Sequence, residues 1–292
     1  MISYSGKTVL VTGASRGIGL AVTQRFADLG ANVGLVATSR DLLQKAAASV
    51  SGRTCVVAGD LTDPAECRRA VEEVESALGP IEVLVSCAGV LRRDFVEDVA
   101  VEDFERSYRL HAGAGLWLSQ AVLPGMRERG HGSIVFVASE LGLIGGPTYA
   151  SYCASKWALV GLAEVLHHEL AGTGVGVCAV CPGDVRTDQL AEEHAWGPTG
   201  GESYEKAMKP EFVARAIVRA VGGSNPVVVV DKPHIRMAFR LMGGPRRLRL
   251  SVVHSAFKTL LRERVPRVLA RSDGDATPPA GSHPNHASSA GL

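Results

Sequence analysis

Short apolar runs alternate with longer stretches of helical spacing from the N-terminus to about residue 230. Thr8–Thr12 (TVLVT) is apolar and ends in glycines. Gly17–Leu29 then sets Ile18, Val22, Phe26 and Leu29 on one side of a helix. Strands are expected at Val33–Ala37, Thr54–Ala58, Ile81–Ser86, Ser133–Ala138, Val175–Cys181 and Pro226–Val230. The intervening helices are expected at Asp41–Ser49, Pro64–Leu78, Val101–Arg129, Tyr149–Gly172 and Pro210–Val221, with Pro64 in a first helical turn. Residues 184–209 are polar and Gly-rich and show no such period.

The strands are continuous apolar runs, which suits a parallel sheet buried on both faces. With right-handed crossovers, the pattern predicts an α/β fold: a doubly wound parallel sheet (a Rossmann fold) of about seven strands, with helices on both faces. Residues 1–231 read as one such domain. Residues 232–271 read as a basic amphipathic helical extension, with Leu250, Val253, Phe257, Leu260 and Leu261 at helical spacing. Residues 272–292 have almost no large apolar side chains and read as a disordered tail.

The first strand runs directly into Thr12-Gly-Ala-Ser-Arg-Gly-Ile-Gly19 and then a helix. Glycines at 13, 17 and 19 permit a tight turn and close approach of a phosphate, and the helix N-terminus offers free N–H groups to it. The loop Gly13, Ala14, Ser15, Arg16, Gly17, Ile18, Gly19 is therefore a candidate dinucleotide site. Its spacing resembles the cofactor loop of short-chain dehydrogenases/reductases, and the resemblance continues over about residues 1–230. Asp60 and Leu61 resemble that family's adenine-contacting segment. Cys87, Ala88 and Gly89 stand in its Asn-Asn-Ala-Gly turn. Pro182, Gly183 and Thr187 resemble the turn that flanks the nicotinamide.

A reader of the 2′-hydroxyl needs a carboxylate at the end of the second strand. Here that strand ends Val36-Ala37-Thr38-Ser39-Arg40, with no acid before Asp41. Arg16 and Arg40 are candidate partners of a 2′-phosphate. The Ala-Thr-Ser run also resembles bacterial ketoacyl carrier-protein reductases, which implies a phosphate contact at Thr38. NADP(H) is favoured over NAD(H).

Tyr152 and Lys156 are i and i+4, on one face of the expected helix. A nearby ammonium and the nicotinamide's positive charge favour the phenolate and are expected to lower the tyrosine's pKa. Ser139 ends the fifth strand, within reach of a substrate oxygen. The resemblance gives Ser139, Tyr152 and Lys156 these catalytic roles and adds a ribose contact to Lys156. Tyr149 has Cys153 at i+4 and so lacks a cation there. Two positions depart from the family pattern. Ser86-Cys87 replaces two amides, and His111 stands where an Asn usually completes a proton relay. His111 is read either as a substitute relay residue or as a structural imidazole.

The candidate substrate wall holds Leu141, Leu143, Ile144 and Trp157, with Asp188, Leu190, His194, Trp196, Tyr204 and Met208 after the Pro182-Gly183 turn. That composition suits a hydrophobic small molecule carrying a ketone or alcohol. The expected function is an NADP(H)-dependent oxidoreductase that interconverts a ketone and a secondary alcohol on a hydrophobic or lipid-like body. The alternative is a dinucleotide-binding sensor or scaffold with little turnover.

Composition changes this picture in one place. Net charge is +1, yet residues 231–271 hold eleven Lys and Arg against Asp231 and Glu263, leaving the rest of the chain at −8. Three contacts suit that basic segment: an anionic membrane surface, the acidic body, or a partner subunit. Nucleic acid is not expected, since no binding motif accompanies the charge. The resemblance implies a homo-oligomer. The six cysteines, the opening residues and the lack of an 18-residue apolar run suit a reduced cytoplasmic protein, and the basic segment would let it sit peripherally on a membrane. No metal site is expected: Cys178-x-x-Cys181 lies in a strand without a second pair, and adjacent His167 and His168 point apart on a helix.

Overall fold

The computed structural model describes residues 4–196, 204–233 and 236. Seven strands among them form one parallel sheet: β1 (Thr8–Thr12), β2 (Asn32–Ala37), β3 (Thr54–Ala58), β4 (Ile81–Ser86), β5 (Gly132–Val137), β6 (Val175–Pro182) and β7 (Val227–Val230). Their spatial order is β3-β2-β1-β4-β5-β6-β7. The helices are α1 (Gly17–Asp28), α2 (Arg40–Ala48), α3 (Pro64–Leu78), α4 (Val101–Tyr108), α5 (Ala114–Arg129), α6 (Ala150–Glu169), α7 (Asp188–Trp196) and α8 (Pro210–Ala220). This is the doubly wound fold that the apolar runs predict.

Successive side chains on a strand face opposite ways, so each strand feeds two cores. Val9 and Val11 join Phe26 of α1, Leu43 of α2 and Ile217 of α8 on one face. Leu10, Leu84, Ile134 and Phe136 join Val74 of α3, Leu118 of α5 and Leu159 of α6 on the other. Asp63 caps α3 by accepting the Ala65 N–H at 2.8 Å, with Pro64 in the first turn.

Two local features differ from the sequence reading. The helix expected over 101–129 is interrupted by a π turn, Arg109–Gly113, which carries His111. The extra residue in that turn leaves no trace in a hydrophobic period. Within 184–209, read as irregular, lies α7; Asp188 stands in its first turn, and the Thr187 hydroxyl accepts the Leu190 N–H at 3.3 Å. The extension 232–271 lies outside the described residues except for Lys232, Pro233 and Arg236, and the tail 272–292 lies wholly outside them.

The chain leaves β1 toward β2 on one side, while β4 pairs on the other, so the connections diverge at the carboxyl ends of β1 and β4. That divergence opens a crevice. The Thr12 hydroxyl oxygen ties its two walls together by accepting the N–H groups of Cys87 at 2.9 Å and Ala88 at 3.0 Å. Thr12 is fully buried, so water cannot replace those bonds. Thr12→Val keeps the shape and removes the acceptor. It is expected to cost about 2 kcal/mol in urea unfolding; a loss below about 0.5 kcal/mol contradicts the tie.

Candidate active site

A cavity of about 670 Å³ lies over the carboxyl ends of the strands. At one end the glycine loop contributes Gly13, Ser15, Arg16, Gly17, Ile18 and Gly19. Ala14 belongs to that loop but faces the core; it is fully buried and its N–H donates to Val36 O. Gly13 has φ +65°, and a Cβ there would meet Ala88 Cα at 2.9 Å. A Cβ at Gly19 would overlap the Gly13 carbonyl. The loop is packed as closely as a backbone allows.

Thr38, Asp60 and Leu61 line the same cavity at the ends of β2 and β3. Arg40 begins α2, is exposed, and does not line it. The Arg16 guanidinium stands 3.8 Å from Asp188 of α7, an exposed pair across the mouth of the cleft. Asp60 accepts the Thr62 N–H and an Arg106 guanidinium N–H, which together hold its carboxyl below its ordinary value against the opposing effect of burial. Cys87, Ala88 and Gly89 form the middle of the floor. Burial pushes the Cys87 thiol up to about 11, so it is a neutral group beside the cavity.

Ser139, Tyr152 and Lys156 converge on the far half, with Pro182, Gly183 and Thr187 opposite. Tyr152 and Lys156 come from the first turns of α6 and are 8% and 4% exposed. The Lys156 Nζ lies 5.5 Å from the Tyr152 ring centroid and donates to Val137 O at 2.9 Å. The Tyr152 pKa lies above its ordinary value, not below it. Burial raises it, and this outweighs the hydrogen bond with Ser139 that lowers it. Desolvation by the surrounding protein is the dominant effect, and the hydroxyl keeps its proton. Burial also lowers Lys156, to about 8.

His111 is 1% exposed. Its Nε2 accepts the Val90 N–H at 3.1 Å, and its Nδ1 lies 2.8 Å from Ser155 Oγ. Both ring nitrogens thus have partners within the protein. Burial and the Lys156 charge both push its pKa well below the ordinary value.

Of the proposed substrate wall, Leu141, Ile144, Asp188, Leu190 and Met208 line the cavity. Leu143 packs against the core, Trp157 is exposed, and His194 and Tyr204 do not line the cavity. The Trp196 side chain lies outside the described residues. Sequence reasoning missed a polar corner at the substrate end. The Tyr149 hydroxyl donates to the Glu193 carboxylate, and the Arg93 guanidinium sits 4.9 Å from the Tyr149 ring centroid. A cation therefore does reach Tyr149, from a distant segment and not from i+4. Arg93 also donates to Thr148 Oγ1 at 3.2 Å, and Thr148 holds a φ of +73°. Glu140 and Asp231 hydrogen-bond beneath Gly183; burial first, then the Asp231 charge, pushes Glu140 up to about 9.

The family model for short chain dehydrogenases matches residues 7–197. The chain belongs to the short-chain dehydrogenase/reductase family. Curated relatives include the ketoacyl reductase HetN of Nostoc sp., 30% identical over 80% of this chain and 81% of that protein. The 3-ketodihydrosphingosine reductase of Bos taurus is 32% identical over 76% of this chain and 71% of its own length. The 3-oxoacyl-[acyl-carrier-protein] reductase FabG of Rickettsia bellii is 30% identical over 80% and 97%. A solved structure of levodione reductase shares the fold, with a TM-score of 0.73 at 22% identity, covering 78% of this chain and 97% of that one.

As a short-chain dehydrogenase/reductase the protein is an oxidoreductase, and the family binds NAD(P). The residues present fit that cofactor. Arg16, the N-cap of α1, makes no side-chain capping bond, so the first-turn N–H groups have no side-chain acceptor there, and the glycine cradle has no room for a Cβ. Among the described residues, no group of three or more metal-ligating side chains occurs, and no helix is long and apolar enough to cross a membrane. Cys178 and Cys181 are buried free thiols, both pushed up to about 12 by burial.

Lys156 binds its proton less tightly folded, at about 8, than at its ordinary 10.5. The unfolded chain therefore holds more protons between those values, and this group adds stability as pH rises through that window. Relative to Lys156→Met, the wild type is expected to gain on the order of 2 kcal/mol from pH 7.5 to 10.5 in urea unfolding. A constant difference contradicts a buried, easily neutralised lysine.

Proposed function

We propose that the protein is an NADP(H)-dependent enzyme that interconverts a ketone and a secondary alcohol on a hydrophobic or lipid-like substrate. The observation that carries this reading is the meeting of Ser139, Tyr152 and Lys156 in one cavity with the glycine loop. A nicotinamide cofactor held by the glycine loop would supply hydride chemistry here. Ser139 holds the substrate oxygen by hydrogen bonding. Tyr152 gives that oxygen its proton in reduction and removes it in oxidation. A tyrosine kept neutral by burial is already the donor that reduction needs. Lys156 orients the nicotinamide ribose and offsets negative charge on the phenolate that proton donation leaves behind.

Leu141, Ile144, Leu190 and Met208 support an apolar substrate body. Two relatives are named for keto compounds of that kind, a ketoacyl group and ketodihydrosphingosine. Preference for the 2′-phosphate rests on Thr38 and Arg16 lining the cavity, on Arg40 nearby in sequence to Thr38, and on the lack of an acid before Asp41. In this reading Arg16 exchanges Asp188 for the phosphate. The protein acts as a homo-oligomer in the cytoplasm, and 232–271 meets a membrane surface, the acidic body or a partner subunit; these points rest on the sequence and the resemblance.

Tyr152→Phe is expected to lower ketone-dependent NADPH oxidation by about 10³-fold while NADPH affinity, read by nicotinamide fluorescence, changes less than about three-fold. Retained turnover contradicts the assignment of the proton donor. In the same titration NADPH should bind at least about ten-fold tighter than NADH, and Arg40→Ala or Arg16→Ala should narrow that gap. Equal affinities in the wild type would remove the phosphate argument.

A further inference from the structure

His111 bridges two parts of the site, the turn after β4 and the helix that bears Tyr152. The Val90 N–H is a placed backbone donor aimed at Nε2 at 3.1 Å, so Nε2 carries no proton. The single proton of a neutral ring then sits on Nδ1, which donates to Ser155 Oγ at 2.8 Å. Ser155, fully buried, donates its own hydroxyl hydrogen bond to the Tyr152 carbonyl at 2.9 Å. Every hydrogen-bonding position of the ring is used, and the direction of each bond follows from the one before it.

The ring also touches both sides by packing. A Cβ on Gly89 would lie 3.0 Å from Nε2, so the imidazole rests on the cofactor turn. Its plane meets the Tyr152 ring edge-on, with centroids 5.5 Å apart and an interplanar angle of 88°. The π turn is what aims this residue inward, between the end of β4 and the first turn of α6.

We infer that His111 is a positioning residue, a neutral Nδ1–H imidazole that clamps the Gly89-Val90 turn to the helix bearing Tyr152. It moves no proton. It couples the seating of the cofactor at that turn to the placement of the tyrosine. The inference rests on the reading of this cavity as the active site.

Two experiments test it. The first uses the wild-type protein labelled with ¹⁵N-histidine, at neutral pH, with and without NADPH. The His111 signals are identified among the nine histidines by their loss in His111→Asn. The expected result is a proton on Nδ1 and none on Nε2 in both states. A proton on Nε2, or on both nitrogens, overturns the clamp, and this readout needs neither turnover nor a stable variant. The second experiment splits the two arms. Both carboxamides carry a donor and an acceptor, but they differ in reach: the longer Gln of His111→Gln places its group at the Nε2 position, toward Val90, and the shorter Asn of His111→Asn places its group at the Nδ1 position, toward Ser155. The Gln variant should lose about ten-fold more in kcat than in NADPH affinity, and the Asn variant about ten-fold more in affinity than in kcat. Splits in the same direction, or no split in either, overturn the inference. A wild type that binds NADPH but reduces no ketone would instead contradict the proposed reaction, leaving the tautomer result to judge the clamp.

Discussion

The site depends on a hydroxyl group that bonds to two backbone amides. Thr12 ends β1 and accepts from Cys87 and Ala88 just past β4. The sheet order makes β1 and β4 neighbours whose continuing chains part company, and such a fork would splay open without a cross-tie. Gly13 then passes so close to Ala88 that no side chain fits between them. The fork is narrow at its base and open above, which is the shape that a pyrophosphate laid over a helix N-terminus requires.

From this fork a chain of contacts runs to the chemistry. Ala88 leads through Gly89 to Val90, whose N–H meets His111. His111 meets Ser155, and Ser155 meets the backbone of Tyr152. The cofactor floor and the tyrosine thus share one buried network. Burial has a second consequence: it keeps Tyr152 protonated and makes Lys156 easy to neutralise in the absence of cofactor. Both shifts come from the same loss of water; a bound cationic nicotinamide would oppose the Tyr152 shift, and a bound phosphate the Lys156 shift.

The sheet was legible in the sequence because seven apolar runs separated by helical periods admit few other arrangements. The glycine loop and the Tyr152–Lys156 pair were legible because their chemistry is local. What the sequence did not carry was long-range or aperiodic. The π turn adds one residue to a helix without changing its polarity pattern. The short helix α7 is polar and set among glycines. Tyr149 meets Glu193 and Arg93 only through the tertiary fold. The depth of burial that raises the Tyr152 pKa is likewise invisible in the sequence, where only the neighbouring lysine can be read.

The central claim is a cofactor cleft built in advance and joined to the catalytic helix. Amide hydrogen exchange, followed by mass spectrometry with and without NADPH, tests it most directly. Peptides containing Cys87, Ala88 and Val90 should already exchange slowly in the free protein, whereas those containing Gly13–Gly19 should gain protection when NADPH is added. Fast exchange at 87–90 in the free protein, or no added protection at 13–19 with saturating NADPH, would contradict the account.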